Sequence, residues 1–147
     1  MIGNVLMFGS GGASEGLVKA FLWGTLVRHD SSIIIGGADT AMSTAYAEAE
    51  YFTYSSGVFT CQTAGTYSFT VFGRGGNASS SGTARNISWS IYVNGTQDPS
   101  TAQSGVTTAG RLSTVSLTLS ANDTVSLYAN MNGASVTGDV GMEVELA

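Results

Sequence analysis

Apolar and polar residues alternate with a period of two along most of this chain. The clearest case is the run 65–73, where Tyr67, Phe69 and Val71 share one face and Thr66, Ser68 and Thr70 lie on the other. Such alternation is typical of a β-strand with one buried face and one solvated face. The preceding run, 51–61, also has strand character. We expect Gly65 to be free to adopt a positive φ in a tight turn, residues 63–65, that joins the two runs.

The same period recurs on both sides of this central segment. Further strands are predicted over residues 17–28, 33–35, 87–93, 104–107, 112–119, 125–129 and 140–146. The dipeptide Asn94-Gly95 is a strong hairpin signal. Residues 38–50 are rich in alanine and allow a helix capped by Asp39, but we favour a loop. About nine or ten short strands with almost no helical period predict an all-β antiparallel sandwich, of either jelly-roll or immunoglobulin-like topology.

Six residues at the centre of the chain have the spacing G-x-F-x-C-x-x-x-G-x-Y-x-F; they are Gly57, Phe59, Cys61, Gly65, Tyr67 and Phe69. This pattern resembles the centre of the C1q/TNF-like jelly-roll domain, and the run 89–95 resembles that family's middle strand before an Asn-Gly turn. The resemblance extends over roughly residues 18–146. It implies an antiparallel jelly-roll sandwich and a homotrimer in which flat, aromatic-lined faces meet around a three-fold axis.

The composition is unusual in its low charge, because only 10% of residues are charged against a typical share of about a quarter. With 43% hydrophobic residues, this favours burial beyond the monomer core, in an oligomer or larger assembly. The alternative is a compact, neutral Ser/Thr-rich β-domain. The net charge of −5 and the absence of a basic run argue against nucleic-acid binding. No apolar run has transmembrane length, so membrane insertion is not expected.

Residues for catalysis or metal binding are scarce. Cys61 is the single cysteine, which excludes an internal disulfide, and we expect it to be a small core residue. His29 is the single histidine, so any nucleophile–histidine pair would depend on a residue that reads more simply as part of a turn. We therefore predict no enzymatic activity and no cofactor.

Acidic residues raise the question of a cation site. Glu48 and Glu50 lie two apart and could bind a cation together with Asp98 or Asp123. A solvated acidic edge is the favoured interpretation, and it applies equally to the pair at 143 and 145. No metal site is therefore predicted.

Four aromatic residues are expected to face outward by alternation, and they are Phe52, Tyr54, Tyr92 and Tyr128. Aromatic side chains with one polar end suit a subunit interface or a sugar-binding surface. We therefore take these four as the candidate trimer or ligand surface.

Residues 1–16 are predicted to be an attachment arm, followed by the jelly-roll domain at 17–147. The arm carries an apolar run ahead of a Gly-rich stretch, namely Val5, Leu6, Met7 and Phe8. We expect this run to dock on a capsid or other virion protein. The start of the sequence lacks the pattern of a signal peptide, which favours synthesis in a host cytoplasm.

Together these features predict a non-enzymatic structural protein of a bacteriophage virion. It would form a homotrimer that decorates the capsid or builds a module of a head or tail fibre. Two alternatives remain open. One is an adhesin module that binds a carbohydrate or receptor through the loops 73–86 and 96–110, and the other is a bacterial surface or spore-coat protein.

Overall fold

The computed structural model describes residues 17–27, 32–38, 40, 42–74, 85–107, 111–131 and 137–147. In this part of the chain there are twelve strands: β1 (Val18–Val27), β2 (Ile33–Ile34), β3 (Met42–Ala47), β4 (Phe52–Ser55), β5 (Val58–Cys61), β6 (Gly65–Arg74), β7 (Arg85–Val93), β8 (Thr96–Gln97), β9 (Gln103–Thr107), β10 (Arg111–Leu119), β11 (Thr124–Met131) and β12 (Thr137–Leu146). One short 3-10 turn covers Pro99–Thr101. None of the described residues forms a helix that is long and apolar enough to cross a membrane.

The strands form two antiparallel sheets packed face to face. Sheet A has the order β10-β6-β12-β1-β3. Sheet B has the order β4-β5-β11-β7-β8, with β2 paired to β11 and β9 paired to β7. This is the antiparallel jelly-roll sandwich that the resemblance implied, so the predicted fold class is confirmed.

The core lies between the inner faces of the two sheets, as alternation along each strand requires. Its largest fully buried side chains include Phe52, Phe59 and Tyr67. The Phe52 ring contacts both of the others edge-on, with its centroid 6.3 Å from that of Phe59 and 4.9 Å from that of Tyr67. Cys61 is a free, fully buried thiol beside them, as its position in the pattern predicted. Its Sγ lies 3.1 Å from the carbonyl oxygen of Thr63.

The central segment is built differently from the expected hairpin. β5 belongs to sheet B and β6 to sheet A, so the connection at residues 62–64 crosses between layers. Gly65 consequently does not adopt a positive φ, because the chain is not reversing within one ladder there. The positive φ values fall instead at Ser56 (47°) and Gly57 (90°), in a turn that divides the predicted run 51–61 into β4 and β5. β10 and β11 likewise lie in opposite sheets and are not paired with each other.

Residues 38–50 contain a strand where we expected a loop. β3 forms one edge of sheet A and pairs with β1, with Ala45 opposite Leu22 and Ala47 opposite Ala20. The alanines pack against the core, while the neighbouring Thr44 is exposed. Because the buried side chains of this edge strand are small, its alternation carries little hydrophobic contrast. The Asn94-Gly95 turn, by contrast, is confirmed, with φ of 53° and 80° between β7 and β8.

Candidate functional site

The outer face of sheet A carries a cluster of aromatic and acidic side chains. On β12, Val140, Met142 and Val144 point into the core, so the residues between them point outward. In the ladders on either side, Glu143 lies opposite Phe21 and Thr70. We call the following set the aromatic–acidic face: Phe21, Trp23, Tyr46, Phe72, Glu143 and Glu145. All six side chains are partly exposed.

Trp23 lies against the sheet directly over Gly141. The two residues are paired across β1 and β12, and Gly141 is buried although it belongs to the outer face. A Cβ atom at this position would collide with the indole ring and would lie 2.5 Å from the carbonyl oxygen of Leu22. A glycine is therefore required for the indole to lie flat at the centre of the face.

One carboxylate on this face, that of Glu143, is held in an unfavourable environment for charge. Partial burial raises the pKa of Glu143, and the like charge of Glu145, two residues away on the same face, raises that pKa further. Covering this face with another apolar surface would remove still more water from both groups. The face therefore combines apolar rings that favour burial with carboxylates that resist it.

Lys19, Glu48 and Tyr51 form a second cluster at the edge of sheet A, close enough to Tyr46 of the aromatic–acidic face for both charges to act on it. The Lys19 Nζ lies 3.2 Å from Glu48 Oε1 and 4.4 Å from the centroid of the Tyr51 ring. Lys19 is nearly buried, and a buried ammonium requires such a partner. Glu48 is thus engaged in an ion pair and is not free to share a cation with the exposed Glu50.

The other two carboxylates considered for a cation site stabilise turns. Asp98 accepts a hydrogen bond from the backbone N–H of Ser100 at 2.9 Å. Asp123 accepts from the side-chain amide of Asn94 at 2.9 Å and from the Ser120 N–H at 2.7 Å, and these two bonds lower its pKa. Within the described ranges, no three His, Cys, Asp or Glu side chains are grouped closely enough to hold a metal ion.

The outer face of sheet B is centred on a pair of tyrosines. Tyr92 of β7 and Tyr128 of β11 are diagonal neighbours, since Tyr92 pairs with Ser126 and Tyr128 pairs with Ser90. Their ring centroids are 4.0 Å apart and the ring planes are inclined by 31°. Both rings are partly exposed, whereas the two serines beside them are only 7–8% exposed. The tyrosines thus form a packed stack that covers the serines.

Around this stack the described side chains of the face are uncharged, and most of them carry a hydroxyl or amide group, whereas Ile34 and Val58 are apolar. Its other side chains, assigned by alternation and cross-strand pairing, are Ile34, Thr53, Ser55, Val58, Thr60, Ser88, Gln97, Thr124 and Asn130. No acidic or basic residue is among the side chains that the structure describes on this face. We call this set, together with the two tyrosines and two serines, the tyrosine–hydroxyl face.

The four aromatic residues expected to face outward do not form one surface. Phe52 is fully buried, and that expectation was wrong for a physical reason. Alternation carried back from Phe59 and Cys61 through an unbroken strand places Phe52 and Tyr54 outward, but the turn at Ser56 reverses the chain and the phase. Phe52 therefore lies opposite Cys61, and opposite residues share a face.

Tyr54 follows Phe52 to the inner side. It packs against the core with its ring centroid 4.8 Å from that of Phe59, and its hydroxyl lies 3.5 Å from the carbonyl oxygen of Gly36. Tyr92 and Tyr128 are the two members of the set that the structure brings together on an outer face.

Several expectations fall outside the described residues, and they concern Val5, Leu6, Met7 and Phe8 of the arm, His29, and residues 75–84 and 108–110 of the two candidate loops. The aromatic–acidic face was not identified from the sequence. Its signal was present, because Phe21 and Trp23 lie two apart on the face opposite Ala20 and Leu22. What the sequence did not reveal is that β3, β6 and β12 supply the rest of the face.

Comparisons with known proteins relate this chain to others by fold. No protein-family profile matches it, and no curated protein matches it. The structure of broad bean stain virus is similar with a TM-score of 0.53 and 9% identity, over 95% of this chain and 90% of that one. The PRD1 vertex protein P5 is similar with a TM-score of 0.50 and 13% identity, over 89% and 98% of the two chains.

Similar structures also include C1q- and TNF-like domains. The globular domain of the zebrafish complement 1qA protein has a TM-score of 0.43 and 12% identity, over 87% of this chain and 97% of that one. At such low identities the likeness concerns the fold alone. The chain is an antiparallel jelly-roll domain, a fold that it shares with the PRD1 vertex protein P5 and the broad bean stain virus structure.

Proposed function

We propose that this protein is a non-enzymatic structural protein of a virus particle, and that it forms a homotrimer through the aromatic–acidic face of sheet A. The observation that carries the proposal is the concentration of four partly exposed rings on one outer sheet face. Aromatic residues are enriched at the centres of protein interfaces, because each contributes a large contact area.

Self-association accounts for features that a solitary domain leaves unexplained. Trp23 covers β12 and presents the outer surface of its indole near the middle of the sheet. The low content of charged residues leaves little to keep neighbouring copies apart. A closed cyclic assembly buries the same patch on every copy and so avoids open-ended aggregation. The resemblance to C1q/TNF-like domains, which are usually trimers, favours a three-fold arrangement.

The setting in a virus particle is supported by the fold shared with the PRD1 vertex protein and with broad bean stain virus. As part of the proposal, the particle is that of a bacterial virus, the protein is made in the host cytoplasm, and residues 1–16 attach the trimer to a capsid or other virion protein. The apolar run Val5, Leu6, Met7 and Phe8 would provide that contact.

The test is the molar mass of the full-length chain in solution, measured by light scattering. We expect about three times the chain mass of 15.0 kDa for the wild type. Trp23→Thr removes the central ring of the aromatic–acidic face and should give a monomer. Tyr92→Thr is the matched control, since it makes the same kind of change on the outer face of sheet B, and it should remain trimeric.

A monomeric wild type at every concentration tested would contradict the trimer. A Trp23→Thr variant that remains trimeric would place the interface elsewhere on the molecule. Attachment is tested separately by replacing the four apolar arm residues with serine. This variant should keep the trimer mass. When it is added to virus particles that lack this protein, it should no longer co-sediment with them, whereas the wild type should.

A further inference from the structure

We propose that the tyrosine–hydroxyl face of sheet B binds neutral oligosaccharides, with Tyr92 and Tyr128 as the stacking surface. This activity is separate from trimer formation, because the two faces lie on opposite sides of the sandwich. The proposal depends on the geometry of the tyrosine pair and on the chemistry of the side chains around it.

The tyrosine pair is held in place before any ligand arrives. Tyr92 and Tyr128 stand on two adjacent strands inside sheet B, and their rings support each other at a centroid distance of 4.0 Å. Little side-chain freedom is therefore lost when a ligand packs on them, which lowers the entropic cost of binding. Both rings retain exposed surface, and the electron-rich face of a ring that is turned away from its partner suits the apolar C–H side of a sugar ring.

The surroundings of the pair match the polar side of such a ligand. Gln97 lies beside Tyr92 on β8, and Ser88 and Asn130 lie beyond the pair on β7 and β11. These groups donate and accept hydrogen bonds, as sugar hydroxyls do. Neighbouring side chains on one sheet face are spaced about 5 Å across strands and about 7 Å along them, which is comparable to the width of one sugar unit.

The lack of charged groups among the described side chains of this face indicates which class of ligand it can bind. A nucleic acid or an acidic glycan would require basic groups, and a basic segment would require acidic ones, but the described part of this face has neither. A second copy of the chain is better accommodated by sheet A, where four rings form a wider apolar area. An uncharged, hydroxyl-rich ligand with apolar ring faces is the occupant that the tyrosine–hydroxyl face complements.

The experiment titrates the full-length protein with cellohexaose, mannohexaose and galactohexaose by calorimetry, and with a sialylated oligosaccharide for comparison. We expect saturable binding of at least one neutral hexasaccharide and weaker binding of the sialylated one. Tyr92→Thr removes one ring of the stack and should weaken binding about tenfold or more. Tyr92→Phe keeps the ring and should stay within about threefold of the wild type.

Saturable binding of none of the neutral sugars by the wild type would overturn the proposal. Equal binding by the wild type and Tyr92→Thr would overturn the assignment to this face. If Tyr92→Thr fails to fold, Gln97→Ala, at an exposed position beside the ring, is compared with the wild type instead. Equal sugar binding by the wild type and Gln97→Ala would then overturn the assignment to this face. The molar mass of each variant is measured in parallel, so a failure of trimer formation is distinguished from a failure of sugar binding.

Discussion

The outer faces of the two sheets follow the same alternation and yet carry opposite chemistry. On sheet A, the rings of Phe21, Trp23, Tyr46 and Phe72 surround two carboxylates, one of which has a raised pKa. On sheet B, hydroxyl and amide side chains and the apolar Ile34 and Val58 surround a stacked tyrosine pair, and the described residues there carry no charge. The inward side chains form the core that stabilises the sandwich, and they place little constraint on which residue types occupy the outward positions. The function of each sheet is therefore to be sought on its outer face.

The largest effect we predict on stability comes from filling the space beneath Trp23. Gly141→Ala places a Cβ atom against the indole ring and the backbone of Leu22, so it should destabilise the protein by about 1–3 kcal/mol. It should also weaken the trimer by displacing the ring from the aromatic–acidic face. Urea unfolding at fixed protein concentration measures the first effect, and light scattering measures the second.

Gly65→Ala is the matched control for that substitution. Gly65 lies in the same sheet and its φ is not positive. A Cβ atom added there would lie 3.7 Å from Leu146 Cδ1, which is an ordinary van der Waals distance. We expect a change within about 0.5 kcal/mol, because the added methyl group meets no obstacle. Equal stabilities for the two variants would show that the indole is not seated on Gly141.

A smaller effect is predicted for the tyrosine stack on the other face. In a double-mutant cycle, Tyr92→Thr and Tyr128→Thr should show a coupling of about 0.5–1.5 kcal/mol, since each ring loses its partner. The hydroxyls of Thr66 and Thr118 are 2.9 Å apart on sheet A, and Thr118→Ala combined with Tyr92→Thr should show no coupling across the sandwich. If Thr118 and Tyr92 showed as large a coupling energy as Tyr92 and Tyr128, the measured coupling would reflect a general loss of protein stability and not the contact between the two rings.

The smallest effect concerns the charge of the aromatic–acidic face. Because burial and Glu145 raise the pKa of Glu143, the ionised carboxylate disfavours the folded state. This penalty is absent below the ordinary pKa of glutamate, grows as the pH rises, and is fully present above the raised pKa. Glu143→Gln should therefore stabilise the protein at pH 8 and lose its advantage at acidic pH.

Thermal unfolding of Glu143→Gln across the pH range tests this directly. Glu50→Gln, an exposed glutamate in a turn, is the control and should change little at any pH. Since trimer formation would cover Glu143 further, the trimer should also dissociate more readily as the pH rises. A stability difference between wild type and Glu143→Gln that does not depend on pH would contradict the role of charge.

The central segment shows how much of the fold follows from sequence. The alternation of Tyr67, Phe69 and Val71 correctly predicted β6 and its buried face. The same reasoning failed at Phe52, where an unrecognised turn at Ser56 and Gly57 reversed the phase. A pattern with a period of two identifies a face only within an uninterrupted strand, and a single reversal exchanges inside and outside.

The local pattern of this chain determined its class, most of its strands, the hairpin at Asn94-Gly95 and the buried place of Cys61. These depend on side-chain alternation and turn propensity, which act between residues close in sequence. Only the tertiary structure decided that β5 and β6 separate into two sheets and that the alanine-rich stretch pairs at an edge. It alone placed Trp23 on Gly141 and Tyr92 on Tyr128, because strand partners are chosen by burial across the whole sandwich.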